Sequence, residues 1–433
     1  MKKFRRLLVV TVVLLCLILG SCASGSDKPP SQAPSQAPSQ GTETGTGPVT
    51  GTPVTPEFLY PFMTGLEKPG AIPQDDYYIA FSVGDMGNSW CRTMLDDMIS
   101  VGDQYTKQYG LKFEWTSANN NTTKQLSDIQ SLIAKKPDLL IVAPYESEPL
   151  TVIVDWVNEA KIPLITIIEN IDVPPNQDTG YYIMNISIDC FMNGMINGLN
   201  IVKDLTERYG EPRGNVIEVA GILGATTSMQ RSWGLNWILK DYPNIKIPIV
   251  REGAWEPNLS YQVGQDVMTV TDPGYIDAVA ASCDDSAFGF MEAVDVAGRT
   301  EDLDGNYYSS DGMVTALRKI LDGDMRQTSE ATPYFGWFSF EYAIQYLNGD
   351  SIPHYCMMPQ RNFIVDTPER LAALTEMVEY CEANDIEYMP ISTGNFDLFP
   401  QMSDEDFAKY YEVNGFFVNP IYGEFMPPYQ IKN

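Results

Sequence analysis

The chain has 433 residues, with 28 Lys+Arg against 57 Asp+Glu and a formal net charge of −29 at pH 7. Such a surface repels nucleic acid and anionic lipid, so neither is expected as a partner through a basic face. Hydrophobic residues make up 44% and aromatics 11%, enough for sizeable cores, while the single histidine, His354, argues against a histidine-based metal site or a Ser-His-Asp triad.

The chain opens on Lys2, Lys3, Arg5 and Arg6, followed by an apolar run from Leu7 to Leu19 and then Gly20-Ser21-Cys22. That run is shorter than the ~20 apolar residues of a membrane span and reads as a secretory signal. Cysteine directly after small residues resembles a bacterial lipobox. The resemblance implies that residues 1–21 are a cleaved lipoprotein signal peptide and that Cys22 takes lipid. The protein is then expected at the cell membrane, lipid-anchored on the extracytoplasmic face, at the cell surface or in a periplasm. Without the four basic signal residues the balance becomes 24 against 57, or −33. Residues 22–72 carry S-Q-A-P repeats and a Gly/Thr/Pro stretch. They bury too little apolar surface to offset the entropy of ordering and read as an extended linker.

Tyr77 to Val83 predicts a buried strand that ends in a turn at Gly84 and Gly87. Met94 to Tyr109 predicts a helix stopped by Gly110. Leu111, Phe113 and Trp115 alternate as in a half-buried strand. Leu126, Ile129, Leu132 and Ile133 have helical spacing, ended by Pro137. An apolar strand follows at Leu139–Pro144, then a helix marked by Leu150, Ile153 and Val157, then a strand at Ile162–Ile168. The pattern repeats with a helix at Phe191–Tyr209, a strand at Val216–Gly221, and helices at Gln230–Asp241 and Leu259–Val270 flanking a strand at Ile245–Val250. A strand at Ile276–Ser282 and a helix at Ser286–Gly298 complete it. Strands apolar throughout, alternating with helices, imply parallel sheets covered on both faces. Two arrays of similar length imply two α/β lobes.

In such sheets ligands sit beyond the carboxyl ends of the strands. Those ends hold Asp85–Trp90, Ser117–Asn121, Pro144–Ser147, Ile168–Asn170, Gly221–Thr227, Trp255–Asn258, Ser282–Asp285 and Ser310–Gly312. Carboxylates, carboxamides and tryptophan with few basic groups suit a neutral polyol. Cys91, Cys190, Cys283, Cys356 and Cys381 form an odd set without a C-x-x-C, which is no disulfide framework. Cys356 with Cys381 is one pairing open to it. No metal site and no cofactor are expected, because ligand spacing is missing.

The segments S-V-G-D-M-G-N-S-W, A-N-N-N-T-T-K-Q-L-S-D-I-Q, P-D-L-L-I-V-A-P, I-S-I-D-C, G-A-T-T-S-M-Q-R-S-W-G, S-C-D-D-S-A-F-G and S-S-D-G stand in one order from about Tyr78 to Asn362. In that order they resemble the ribose/galactose-type periplasmic binding proteins, the type I receptors of sugar ABC transporters. The resemblance implies two Rossmann-like lobes with parallel sheets joined by a hinge, plus a C-terminal extension. It implies a first lobe of 73–187 and 333–355, a second of 188–332 and 356–366, and an extension at 367–433. It implies ligand contacts at Asn88, Trp90, Cys91, Asp189, Trp255, Cys283, Asp284 and Asp311. Asp284 and Asp311 precede helices and suit capping equally well, and Arg231 is expected to pair with an acid. The chain departs from the family at Ile168-Glu169, where Asp-Arg is usual, and at Met229, where a ligand arginine is usual. It also departs at Cys283 for asparagine, at Cys91 for an aromatic, and at Ala331 or Thr332 for glutamine.

In the extension, Asp366-Thr367-Pro368-Glu369 starts a helix with its apolar stripe at Leu371, Leu374, Met377 and Val378, ending near Asn384-Asp385. A shorter helix is expected at Ser403–Val413. The resulting expectation is a monomeric, non-enzymatic receptor that captures a sugar and delivers it to an ABC permease. Three other readings stay open: a sensor for a histidine kinase or chemoreceptor, a binder of a cationic amine, and an extracellular carbohydrate-active enzyme.

Overall fold

The computed structural model describes residues 71–389, apart from positions 85, 174, 176–179, 353 and 359. The expected signal peptide, Cys22, most of the linker and the helix expected at Ser403–Val413 lie outside the described residues.

The first lobe runs β1 (Tyr78–Val83), α1 (Ser89–Tyr109), β2 (Lys112–Ser117), α2 (Thr122–Ala134), β3 (Leu139–Ala143), α3 (Ser147–Leu150), α4 (Ile153–Ala160), β4 (Leu164–Ile167) and β5 (Tyr182–Ser187). The chain crosses to α5 (Cys190–Tyr209), β6 (Gly214–Ala220), α6 (Thr226–Leu239), β7 (Ile245–Glu252), α7 (Pro257–Val270), β8 (Ala278–Ala281), α8 (Asp284–Val296), α9 (Thr300–Leu303), β9 (Tyr307–Asp311), α10 (Val314–Asp322) and β10 (Gln327–Glu330). It returns through α11 (Gly336–Leu347) and β11 (Tyr355–Met357), then ends on β12 (Asn362–Ile364) and α12 (Pro368–Ala383). The sheets have the orders β11-β5-β4-β3-β1-β2 and β12-β10-β9-β8-β6-β7. All pairings are parallel except β12 on β10.

Burial follows position in the sheet. β1, β3, β4 and β5 are buried at every residue, as expected of strands covered on both faces. β7, at an edge, buries only Ile245, and from Lys246 to Val250 exposed residues alternate with half-buried Ile247 and Ile249. Its register against β6 shifts between Asn215 and Ile217, where Pro248 offers no N–H to the ladder. Side chains cap the helices that start at the cleft. Asn88 accepts from Cys91 N at the start of α1, and Asp189 from Met192 N at the start of α5, each at 2.8 Å.

Residues 188–189, 331–335 and, among those described, 358, 360 and 361 carry the three crossovers. The carboxamide of Gln360 donates to the carbonyls of Asp189 and Glu330, at 3.1 and 3.3 Å, and so ties the crossovers to one another. Arg361 grips the Glu330 carboxylate with both Nε, at 2.8 Å, and Nη2. The two side chains are 1% and 2% exposed.

Cys356 and Met357 pair with β5 in the first sheet, two residues beyond the boundary expected from sequence. Residues 367–389 do not form a separate body. α12 packs on α10 through buried Leu374, Val378 and Cys381, and Arg318 holds Glu382 at 2.9 and 2.7 Å. Cys356 and Cys381 are both free thiols, so the pairing left open by sequence is not made.

Candidate functional site

The carboxyl ends of the two sheets enclose a cavity. From the first lobe it is lined by Asn88, Trp90, Cys91 and Met94 at the start of α1, by Tyr145 after β3, and by Ile168 and Glu169 after β4. From the second lobe come Cys190, Thr227, Arg231, Trp255, Cys283, Asp285 and Asp311. Six of the expected residues therefore meet here: Asn88, Trp90, Cys91, Trp255, Cys283 and Asp311.

Asp189 and Asp284 do not line it. Asp189 caps α5. Asp284 is fully buried beneath the second sheet, where its carboxylate accepts from Ser309, Thr328 and the Met313 N–H. Asp189 fills the helix-start role common for aspartate, whereas Asp284 is the first residue of α8, whose cap is the Cys283 side chain, and its oxygens are spent on donors from β9, β10 and the residue before α10.

The tryptophans are held by their ring N–H groups. Trp90 donates to the Ala331 carbonyl in the second crossover at 2.6 Å and meets Phe335 edge-on at 6.0 Å. Trp255 donates to Ser282 Oγ at 2.6 Å. Its indole lies against Gly221, where a Cβ would stand 2.2 Å from Nε1, so only glycine admits the ring. Trp255 sits at φ +59°, and Ile168 and Asp311 line the cavity at φ +67° and +124°. Non-glycine residues in this region are strained, and such strain concentrates at functional sites.

Arg231, on α6, donates Nη2 to Asp311 at 3.0 Å and Nη1 to the Ser282 carbonyl. Burial pushes the Asp311 carboxyl well above its usual range, and Arg231 opposes that push. The buried Arg231 Nε has no hydrogen-bond partner among the described residues. Sequence reasoning missed this arginine as a cavity residue because it places the start of the helix at Gln230, four positions late.

Glu169 spans the lobes. Its carboxylate accepts from the hydroxyls of Thr226 and Thr227 and from Thr227 N at 3.1 Å. α6 has no side-chain cap of its own at Ala225. A carboxylate of one lobe thus caps a helix of the other and complements its positive end. Burial raises the Glu169 pKa, and these donors pull it back.

Three thiols share the space. Burial pushes Cys190 up to about 12 and Cys283 well above its ordinary value, so both stay protonated at neutral pH and are poor metal ligands. Among the described residues no cluster of His, Cys, Asp and Glu is placed to hold a metal ion. The arrangement suits a neutral guest gripped by aromatic and apolar walls with few polar anchors.

The sequence profile of the periplasmic binding protein domain matches residues 79–351. The galactofuranose-binding protein of Escherichia coli is 24% identical over 255 residues, covering 59% of this chain and 78% of its own. The fold is that of the periplasmic binding protein component of the arabinose ABC transporter from Shewanella sp. ANA-3, at TM-score 0.62 and 22% identity, over 72% of this chain and 99% of that one. It is also that of the fructose-binding periplasmic domain of a hybrid two-component system, at TM-score 0.61 and 23% identity, over 71% and 97%.

Proposed function

From the fact that the chain belongs to the periplasmic binding protein domain family, we propose that it is an exported receptor for a sugar or sugar alcohol and delivers it to an ABC importer. In this reading Cys22 carries the lipid anchor. The observation that carries the proposal is the cavity itself, where Trp90 and Trp255 face a small set of polar groups between opposed strand ends. Aromatic faces pack on the C–H surfaces of sugars, and Asn88, Arg231 and Asp285 are the polar side chains on the same walls that hydroxyls would meet. The names of the E. coli and Shewanella proteins support the same ligand class.

A cationic amine fits less well. Asp311 is paired with Arg231 and Glu169 is engaged by the two threonines, so two carboxylates that would neutralise a cation are spent. The same engagement removes the paired free carboxylates that glycoside hydrolysis needs. A sensor role is the second reading, favoured by the likeness to the two-component fructose domain.

A thermal-shift screen of the purified full-length protein against pentoses, hexoses, furanose-rich sugars, polyols and small amines tests the ligand class. A ligand at 100 times its dissociation constant adds ~2.7 kcal/mol of stability. The expected result is a raised melting point with a sugar or polyol and a response lost in Trp255→Ala. Stabilisation by amines alone would overturn the assignment.

A further inference from the structure

Beyond residue 351, where the family match ends, the chain comes back to the residues beside the cavity. α12 is fixed to the second lobe. Residues 387–389 then run antiparallel to residues 312–314, with Val314 N donating to the Glu387 carbonyl at 2.8 Å and Met389 N to the Gly312 carbonyl at 3.4 Å. Tyr334, in the second crossover, donates its hydroxyl to the Tyr388 carbonyl at 2.9 Å. Tyr388 and Met389 are 1% and 2% exposed. The segment is therefore built into the fold on the side of the second lobe.

Its tyrosine touches the first lobe. Tyr388 Oη and Ser89 Oγ share a hydrogen bond of 2.7 Å. Ser89 is the first residue of α1 and stands between the cavity residues Asn88 and Trp90. The same Oγ donates across the cleft to Asp285 at 3.3 Å, and Asp285 lines the cavity. Opening the lobes separates these groups.

We propose that Tyr388 is a positioning residue of the ligand site, a clasp supplied from outside the family domain that holds Ser89 against Asp285 and sets how readily the empty cavity opens. This deepens the receptor reading by naming a control on its closure, but its test needs no ligand. Failure of the sugar screen and failure of the clasp are thus separate results.

The probe is N-ethylmaleimide, applied to the full-length protein, with each cysteine followed by peptide mass spectrometry. Cys91, Cys190 and Cys283 line the cavity and are 8%, 0% and 3% exposed, so their modification reports opening. Cys356, in β11, reports on the rest of the first lobe. One hydrogen bond is worth a factor of about five in an equilibrium. Tyr388→Phe is expected to speed modification of the three cavity thiols about fivefold, with Cys356 and the melting point unchanged. Ser89→Ala, which loses the bonds to both Tyr388 and Asp285, should speed it at least as much, and the double variant should add nothing beyond Ser89→Ala. Unchanged cavity rates in Tyr388→Phe, effects of the two substitutions that multiply, or faster modification at Cys356 with a lowered melting point would each overturn the proposal.

Discussion

Asp97 is a carboxyl in the wrong solvent. It is 4% exposed on α1, and Oδ2 accepts from Gly336 N at 2.6 Å while Oδ1 has no partner among the described residues. Burial pushes its pKa up to about 7. A folded-state value above the unfolded one means that the folded form holds the proton more tightly. The contribution is then full below about pH 4 and is lost as pH rises through about 7. Urea unfolding should show stability falling between about pH 4 and about pH 7 by roughly a few kcal/mol, and Asp97→Asn should make that fall shallower, Asp284 being pushed up to about 7 as well.

The Arg231–Asp311 pair, with side chains 9% and 8% exposed, makes the opposite kind of prediction. Arg231→Met leaves a buried carboxylate alone and should cost about 3–5 kcal/mol in urea unfolding, whereas adding Asp311→Leu should restore most of the loss. The residues legible in the sequence were those just past an apolar run, such as Asn88, Trp90 and Trp255. Asp189 misled because aspartate looks the same whether it caps a helix or meets a ligand, and Asp284 because its donors, Ser309, Thr328 and the Met313 N–H, lie on elements distant in sequence. Glu169 was visible only as a departure, since its partners lie on the other lobe and no local pattern names them.

At the scale of elements, α5 and α6 cross as closely as two backbones allow. A Cβ on Gly194 would stand 1.9 Å from the Arg231 carbonyl oxygen, and one on Gly234 would stand 2.0 Å from that of Phe191. Gly194→Ala or Gly234→Ala must push the helices apart. Overpacking of this kind costs about 1–3 kcal/mol, and the shift would carry Arg231 with it. A lowered melting point together with a weakened sugar response is the expected outcome for either variant. Apolar strands such as β3 and β4 were legible because burial on both faces leaves no room for polar residues. β10, Gln-Thr-Ser-Glu, gave no such signal although it is wholly buried. Thr328, Ser329 and Glu330 are satisfied by Asn193, Ser310, Arg361 and the Asp284 carboxylate, and Gln327 donates Nε2 to the Ser309 carbonyl at 3.3 Å. A strand that exchanges apolar contacts for hydrogen bonds reads in the sequence as a loop.

For the whole molecule, side-chain contacts among the described residues bridge the lobes beside the cavity: Glu169 and Ser147 with Asn170 N on the start of α6, and Ser89 with Tyr388 and Asp285. Neither includes a guest. Glu169→Ala should weaken the first without touching the core of either lobe. Small-angle scattering of the unliganded protein should then show a larger radius of gyration than wild type, with the urea midpoint little changed. The two-lobed plan was legible because the βα pattern runs twice. The placement of residues 367–389 was not, because an amphipathic helix tells which face is buried and not what covers it.

The ion pair of Glu330 and Arg361 sits where the crossovers meet, and that location gives it a mechanical meaning. Both residues belong with the second sheet, where Glu330 N donates to the Arg361 carbonyl at 2.7 Å and the strands β10 and β12 run antiparallel. The pair therefore rides with the second lobe whatever the first one does. It welds the roots of two crossovers to each other, so the segments that leave the second sheet there turn as one strap rather than as two independent cords.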